Sequence, residues 1–203
     1  MNHLKHADTD FPIEALLSRR WSPYSFADKD VAKEDLLAIF EAARWAPSSY
    51  NEQPWRYILA RQSDSEAFEK LLSCLVEGNQ IWARNAPVLV IGVAMLNFTR
   101  NGKPNKAAIH DLGLAAGNMC VEATARGLYV HQMIGIVPER VRELYRVPEE
   151  AEPLTGLAIG YLGDGSNLPE ASQERDRDPR PRRPVTSFVF EGSWEEQAEL
   201  GKS

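Results

Sequence analysis

The segment from about Asn105 to Arg126 constrains the fold most, because it is long and apolar on nearly every face. Its alanine, glycine and leucine residues leave no wide polar stripe, and a helix of that kind is buried on all sides. Gly127 follows at a position suited to the left-handed residue that ends many helices. We therefore expect a central helix with the other elements packed around it.

Shorter periodic segments predict the elements around this helix. Helices are expected over about Phe11–Arg20 with Asp10 as its cap, Ala32–Trp45, Glu66–Val76 and Pro138–Tyr145. Strands are expected over Arg56–Ala60, Val88–Ala94, Tyr129–Ile134 and Leu154–Leu162. This mixture of helices and strands predicts an α+β fold, and no domain linker interrupts residues 1–203.

The chain changes character after Gly165. From there to Pro184 it is polar and rich in proline and mixed charge, which favours an extended arm over a packed element. Val185–Phe190 is apolar again and is expected to form a strand that needs a sheet edge. We therefore predict a single domain whose last part, about residues 170–203, is a reaching arm.

Composition excludes several functional classes. The 203 residues are 43% hydrophobic, enough for one substantial core, and the net charge of -6 argues against a general binder of nucleic acid or of membrane surfaces. The first residues hold no apolar run of the secretory type, so a cytoplasmic location is expected. Cys74 and Cys120 lack the spacing of a metal or redox pair, so buried free thiols and no metal site are expected.

Three polar constellations are candidates for binding chemistry. Arg20 and Ser22 could reach one anion such as a phosphate, although an arginine at a helix end also suits the helix dipole without any ligand. The loop Ala46–Trp55 offers hydroxyl and amide groups between prolines, which suits a planar polar heterocycle, or equally a turn that satisfies its own backbone. The basic run Arg180–Pro184 is held extended by its prolines, so alternate arginines could clamp a phosphate, although most charge runs are solvated surface.

Histidines leave two further possibilities open. His110 and Asp111 are adjacent on the predicted central helix and point to different faces, so an ordinary polar contact is favoured over a metal or proton-relay role. His131 lies in a predicted strand, where it is either a satisfied core histidine or part of a pocket wall.

Taken together, these motifs resemble the nitroreductase family of flavoproteins. That family opens with an R-R-S-x-R-x-F-like motif, to which Arg20–Phe26 is similar, and continues with A-P-S-S-x-N-x-Q-P-W, which is nearly complete in Ala46–Trp55. It ends with a basic K/R-x-R-x-P segment, and Gly127–Gly135 is similar to its G-L-x-x-x-x-x-x-G segment. The resemblance implies a mixed, mostly antiparallel sheet flanked by helices, and a homodimer that binds FMN between its subunits and exchanges its C-terminal arms.

The resemblance also implies which residues bind the cofactor. Arg20 and Ser22 would contact the FMN phosphate, and Arg180 and Arg182 would close on it. Residues of the Ala46–Trp55 loop would come from the opposite subunit, while Asn79 and Gly135 would lie at the isoalloxazine edge and near the reactive N5. The full set is Arg20, Trp21, Ser22, Pro47, Ser48, Ser49, Asn51, Gln53, Asn79, Gln132, Met133, Gly135, Arg180 and Arg182.

Three aromatic residues depart from the family pattern. Trp21 replaces the second arginine of the first motif, Tyr24 stands where a base is usual, and Trp82 stands where some members have lysine. A cation near the flavin ring stabilises its anionic reduced form, so its loss should lower the reduction potential unless another donor substitutes.

The function implied is hydride transfer from NADH or NADPH through flavin N5 to a nitroaromatic, quinone or similar small acceptor, by a ping-pong scheme. The cofactor supplies the chemistry, so no protein residue is named as catalytic. Three alternatives stay open: an enone reductase or dehalogenase on the same fold, a non-catalytic flavin-binding protein, and an interaction module without a cofactor.

Overall fold

The computed structural model describes residues 5–199, and helix α5 (Ala108–Ala125) lies at its centre. Its buried residues are Ala108, Asp111, Leu112, Ala115, Ala116, Met119, Cys120 and Ala123. Gly127 follows with a φ of 71°, a left-handed conformation that glycine adopts without strain. The expectation of a long central helix ended by Gly127 is confirmed, but burial on all sides is not, because Ile109, His110 and Gly113 are exposed.

The remaining helices are α1 (Ala15–Arg19), α2 (Lys33–Arg44), α3 (Ser65–Leu72), α4 (Glu77–Ala83), α6 (Pro138–Tyr145) and α7 (Glu170–Arg177). The strands are β1 (Trp55–Arg61), β2 (Val88–Met95), β3 (Tyr129–Met133) and β4 (Ala151–Gly160). The four strands predicted before Gly165 are all present, so the α+β class is confirmed. No helix in the described part of the chain is long and apolar enough to cross a membrane.

The four strands form one sheet in the order β1-β2-β4-β3, and each of the three pairings is antiparallel. A parallel component, as a mixed sheet would require, does not occur among residues 5–199. Strand β4 begins three residues earlier than expected and includes Pro153, whose missing N–H falls beside a bulge between Gly92 and Val93. The edge strands β1 and β3 each have one unpaired side within the described chain.

The sheet separates two apolar layers. On one face, Val88 and Val90 pack with α2 and α5. On the other, Leu89 and Ile91 pack with α3, α4 and α6. This alternation follows from the two-residue period of a strand, and it explains why β2 is apolar along its whole length.

Two helix boundaries differ from expectation. Residues 11–14 are not helical, and α1 begins only at Ala15 without a side-chain cap, so Asp10 caps nothing. The predicted helix over Glu66–Val76 ends at Leu72, because Leu75 pairs with Ile136 and the Val76 N–H donates to the carbonyl of Gly135. A separate helix, α4, starts at the next residue. Tertiary pairing therefore interrupts what the local pattern presents as one helix.

The C-terminal segment departs most from the sequence analysis. The prediction that Glu170–Pro184 is extended and cannot pack on its own subunit is wrong, because α7 occupies its first half and is held by polar contacts. The predicted strand over Val185–Phe190 is also wrong: Val185–Ser187 is one turn of 3-10 helix, and Phe190 forms only an isolated bridge with Gln197. An apolar run indicated a strand, but within this chain no sheet edge receives it.

Candidate functional site

Three of the predicted phosphate ligands lie together at the end of α1. Arg20 leaves that helix with an extended backbone, and its Nη1 donates to the Ser22 hydroxyl at 3.4 Å. Arg180 reaches the same place from beyond α7, donating from Nη1 to the Arg20 carbonyl and from Nη2 to the Ser18 carbonyl, both at 2.8 Å. We call Arg20, Ser22, Arg180 and Arg182 the arginine cluster.

The arginine cluster is short of negative charge. Burial lowers the pKa of Arg180, and the neighbouring charges of Arg20 and Arg182 lower it further. The Arg180 Nε is buried and has no hydrogen-bond partner among the described residues. A buried, unpaired donor beside like charges is costly unless an acceptor completes it, so the cluster fits an anionic group such as a phosphate.

The loop between α2 and β1 has a strained backbone. Tyr50, Asn51 and Gln53 have φ values of 53°, 57° and 52°, in the left-handed region that non-glycine residues rarely adopt. The Ser48 hydroxyl accepts from the Gln53 N–H at 3.1 Å, and the Ser49 N–H donates to the Asp111 carboxylate at 3.0 Å. Such strain persists only where the surroundings enforce it, and it is concentrated at functional sites.

The turn that contains Thr99 and Arg100 packs against the outer side of this loop. The Glu52 carboxylate accepts from the Thr99 N–H at 2.6 Å, and the Arg100 guanidinium lies 4.1 Å from the centre of the Tyr50 ring. Pro47 and Asn51 are exposed at the loop surface. The loop is therefore held from both sides, by Asp111 and by the Thr99–Arg100 turn.

An open cleft of about 290 Å³ lies between α5 and strands β3 and β4. Its lining residues are Ile109, Leu112, Gly113, Ala116, Gln132, Met133, Ile134, Leu154 and Thr155. A Cβ added at Gly113 would meet nothing within 4 Å, so this face of α5 is open. The lining is mostly apolar with a few polar groups, as is usual for small-molecule sites.

Asn79 and Gly135 meet beside the end of β3. The Asn79 side-chain amide donates to the Gly135 carbonyl at 2.9 Å. A Cβ at Gly135 would lie 2.5 Å from that amide nitrogen, so only glycine allows this approach. The contact uses one donor of Asn79 and fixes the chain directly after the cleft residues Gln132 and Met133.

A chain of contacts links the cleft to the arginine cluster. The Gln132 amide donates to the Cys120 sulfur at 3.1 Å, and the charge of Arg20 acts on the same thiol. Burial is the main reason that the pKa of Cys120 is raised. Cys74 is also buried and free, so the expectation of two buried free thiols is confirmed.

Within one subunit, the strained loop lies away from the arginine cluster. It is anchored at Asp111, whereas Arg20 acts near Cys120, nine residues further along α5. At 1.5 Å per residue this is a separation of about 14 Å along the helix. The structure therefore brings Arg20, Ser22 and Arg180 together, places Gln132 and Met133 in the cleft and joins Asn79 to Gly135. Pro47, Ser48, Ser49, Asn51 and Gln53 belong to the separate loop that is anchored at Asp111.

The aromatic departures form packing contacts. Trp21 is buried, with its ring edge-on to Tyr129 at 5.7 Å and the Lys5 ammonium 5.2 Å from its centre. Tyr24 and Trp82 pack edge-on at 5.2 Å, and both contact His131. Trp82 is thus a core residue of the second apolar layer rather than a substitute for a cation.

His131 behaves as a satisfied core histidine. Its Nδ1 lies 2.8 Å from the Pro23 carbonyl, so this nitrogen carries a proton. Burial lowers the pKa of the ring, and the charge of Arg20 acts in the same direction. His131 thus joins β3 to the turn that follows Arg20 and Ser22.

Three residues that hold the site together were not singled out from the sequence as binding residues. Asp111 was expected to make an ordinary polar contact, and it anchors the strained loop. Lys5 and Asp176 tie α7 to the turn after Arg20. Their partners are distant in sequence, and no local pattern marks them.

Comparison with known proteins agrees with the resemblance. The model of the Nitroreductase family matches residues 17–161. A Streptomyces coelicolor protein named "Putative NADH dehydrogenase/NAD(P)H nitroreductase" is 40% identical over 82% of this chain and 87% of its own length. An "FMN reductase [NAD(P)H]" of Bacillus subtilis is 32% identical over 80% of this chain and 70% of its own length.

A solved structure described as an oxidoreductase containing FMN has a TM-score of 0.89 and 35% identity, covering 97% of this chain and all of its own. The helices around the antiparallel sheet therefore form the nitroreductase fold, as expected. The family match covers most of the chain, including the end of α1, the strained loop and the cleft. The chain belongs to the nitroreductase family.

Proposed function

We propose that the protein is an FMN-dependent oxidoreductase that uses NADH or NADPH to reduce a small acceptor such as a nitroaromatic or a quinone. The names of the Streptomyces and Bacillus relatives and the FMN of the similar solved structure support this proposal.

The arginine cluster is the observation that carries the proposal. Two guanidinium groups approach although their charges repel, and one of them keeps a buried, unpaired Nε. A phosphate would accept from that Nε and balance the charge, which riboflavin without its phosphate could not do. Arg20, Ser22, Arg180 and Arg182 would therefore hold the phosphate end of FMN.

The cleft would hold the ring system. Gln132 and Met133 line it, and the Asn79–Gly135 contact fixes its edge. Ile109, Leu112 and Ile134 supply apolar surface that would cover one face of a planar ring and exclude water. When bound, FMN supplies the acceptance of hydride from a nicotinamide and its delivery to an acceptor.

A second copy of the chain would complete the site. Ile109 and Ile134, at the cleft, are 48% and 73% exposed, and soluble monomers rarely leave such apolar surface uncovered. The cleft is open, and the strained loop lies about 14 Å along α5 from the arginine position. In a homodimer, Ser48, Ser49 and Asn51 of one subunit would approach the cofactor held by the other.

The end of the chain would also contact the partner. Residues up to Arg180 pack on their own subunit, but Phe188 and Trp194 remain 61% and 82% exposed. Exchange of the segment after Pro184 between subunits would cover these rings. In this arrangement α7 and Arg180 contact their own subunit, and the residues after Pro184 contact the partner subunit.

An anaerobic spectroscopic experiment tests the function. The FMN-loaded protein is mixed with NADH or NADPH in a stopped-flow instrument, and loss of the flavin absorbance is followed; nitroaromatic, quinone, enone and haloaromatic acceptors are then added separately. Rapid bleaching and reoxidation by a nitroaromatic or quinone are expected. Bleaching followed by reoxidation only by an enone or haloaromatic would favour the alternative reductases, and failure to bleach with either nicotinamide would indicate a non-catalytic flavin protein.

A further inference from the structure

We propose that Asp176 is a positioning residue for the phosphate of the cofactor. Its carboxylate joins the last turn of α7 to Tyr24 and Ser25, which follow Ser22 in the chain. This contact positions Arg180 beside Arg20. The inference rests on the proposed function, and it adds a residue that neither the sequence motifs nor the family resemblance assigns.

The Asp176 carboxylate is saturated by donors from one turn. It accepts from the Tyr24 N–H at 2.9 Å and from the Ser25 N–H at 2.9 Å, and the Ser25 hydroxyl also donates to it. Ser25 is 5% exposed, so these contacts are largely shielded from water. Hydrogen bonds from two successive backbone N–H groups fix the direction of the turn immediately after Arg20 and Ser22.

Lys5 binds the end of α7 on either side of Asp176. Its ammonium donates to the Arg175 carbonyl at 2.7 Å and also to the Asp178 carbonyl, and Lys5 is 4% exposed. Burial lowers the pKa of Lys5, whereas the charges of Asp176 and Asp178 oppose that shift. The cation therefore lies at the carbonyl end of α7, where the helix dipole favours it, and balances the Asp176 carboxylate.

The contacts of Asp176 also determine where Arg180 lies, because the two residues are close in the chain. Four residues after Asp176, its guanidinium donates to the Ser18 and Arg20 carbonyls and leaves Nε free. Arg20 and Arg182 repel it, so the cluster needs an anchor that does not depend on the ligand. Asp176 is that anchor, because its carboxylate is engaged by N–H and hydroxyl groups and is offset by Lys5.

Apart from the exposed Arg175, whose guanidinium donates to the Tyr24 hydroxyl at 3.3 Å, helix α7 has few other attachments. None of its residues is buried, so it adds no side chain to either apolar layer. Contacts of this kind could serve only to attach the end of the chain to the domain. The two roles differ in their effect on binding: a positioning role affects the affinity for the cofactor's phosphate selectively, and a purely structural role does not.

The test compares two flavins that differ only in the phosphate. Dissociation constants of FMN and riboflavin are measured by fluorescence titration for the full chain and for Asp176→Asn, Asp176→Ala and Ser25→Ala. Glu174→Gln is the matched control, since Glu174 is an exposed acid on α7 whose side chain makes no hydrogen bond or ion pair among the described residues. Far-UV circular dichroism and the melting temperature verify folding.

We expect the Asp176 variants to weaken FMN binding by about tenfold or more while riboflavin binding stays within about twofold. Ser25→Ala should show the same selectivity with a smaller loss, and it carries the test if an Asp176 variant does not fold. Equal weakening of both flavins, unchanged FMN binding, or tighter FMN binding from removal of a negative charge would each overturn the proposal. If the unchanged protein itself fails to prefer FMN, the proposed phosphate site fails instead.

Discussion

At the scale of single residues, neighbours in the chain could be singled out from the sequence and distant partners could not. Arg20 and Ser22, two positions apart, were expected to reach one anion, and their side chains lie 3.4 Å apart. Asp176 and Ser25 are 151 positions apart, and an aspartate within a run of mixed charges is indistinguishable from solvated surface until the fold brings them together. The same is true of Lys5.

Replacing Arg20 tests the phosphate assignment directly. Arg20→Ala removes one charged donor group, and FMN affinity should fall by about 10- to 100-fold. The fold should survive, because Arg20 caps a short helix and belongs to neither apolar layer. Arg19→Ala, one residue earlier and exposed, is the control and should bind FMN normally. Retention of FMN by the Arg20 variant through dialysis would refute the assignment.

His131 predicts a pH dependence of stability. Burial lowers its pKa in the folded protein, whereas in the unfolded chain it takes the ordinary value of about 6.5. The folded state therefore binds this proton less readily than the unfolded chain. The contribution of neutral His131 to the unfolding free energy is complete above about pH 6.5 and is lost as the pH falls below that value towards the folded pKa. Asp176 opposes the shift and Arg20 reinforces it.

The measurement is urea unfolding at about pH 7.5 and pH 5.5, for the wild-type protein and His131→Asn. The wild type should lose more unfolding free energy between the two pH values than the variant. Parallel losses in both proteins would show that another group titrates.

At the scale of elements, buried segments were predicted well and polar ones poorly. Strand β2 is apolar along its length and buried, and the mostly apolar central helix buries eight of its 18 residues, so composition predicted both. Helix α4 was not predicted: the expected helix ended at Val76, whereas the structure ends α3 at Leu72, pairs Leu75 with Ile136 and starts a new helix at Glu77. Helix α7 was missed because its attachment is polar and non-local, so its sequence resembles that of a solvated linker.

The strained loop depends on one buried carboxylate of α5. Asp111→Ala leaves the Ser49 N–H without its acceptor, and the unfolding free energy should fall by about 1–3 kcal/mol. His110→Ala, at the adjacent exposed position, should change it by no more than about 0.5 kcal/mol. Urea denaturation of the three proteins measures the difference; equal values for both variants would mean that Asp111 does not anchor the loop.

At the scale of the whole molecule, the apolar surface beside the cleft indicates a partner. The family resemblance implied a homodimer that exchanges its C-terminal arms. The chain contacts its own subunit as far as Arg180, and the exposed Ile109 and Ile134 support the proposed dimer instead. Such surface could not be predicted from the sequence, because an exposed isoleucine in a pattern looks like a core residue.

A charge placed on this surface should dissociate the proposed dimer. Ile134→Lys puts an ammonium group where the second copy would pack, so sedimentation velocity at micromolar concentration should show a monomer with much reduced FMN binding. Ile81→Lys is the control, since Ile81 is 49% exposed on α4 and does not line the cleft. A dimeric Ile134→Lys protein would place the interface elsewhere.

The central claim is that the arginine cluster binds the phosphate of FMN, and its most direct test is a paired titration of the wild-type protein with FMN and riboflavin. Charge-assisted contacts from the cluster contribute about 1.5–3 kcal/mol each, so FMN should bind at least about tenfold more tightly. Raising the salt concentration should narrow the difference. Equal affinity for the two flavins would contradict the claim.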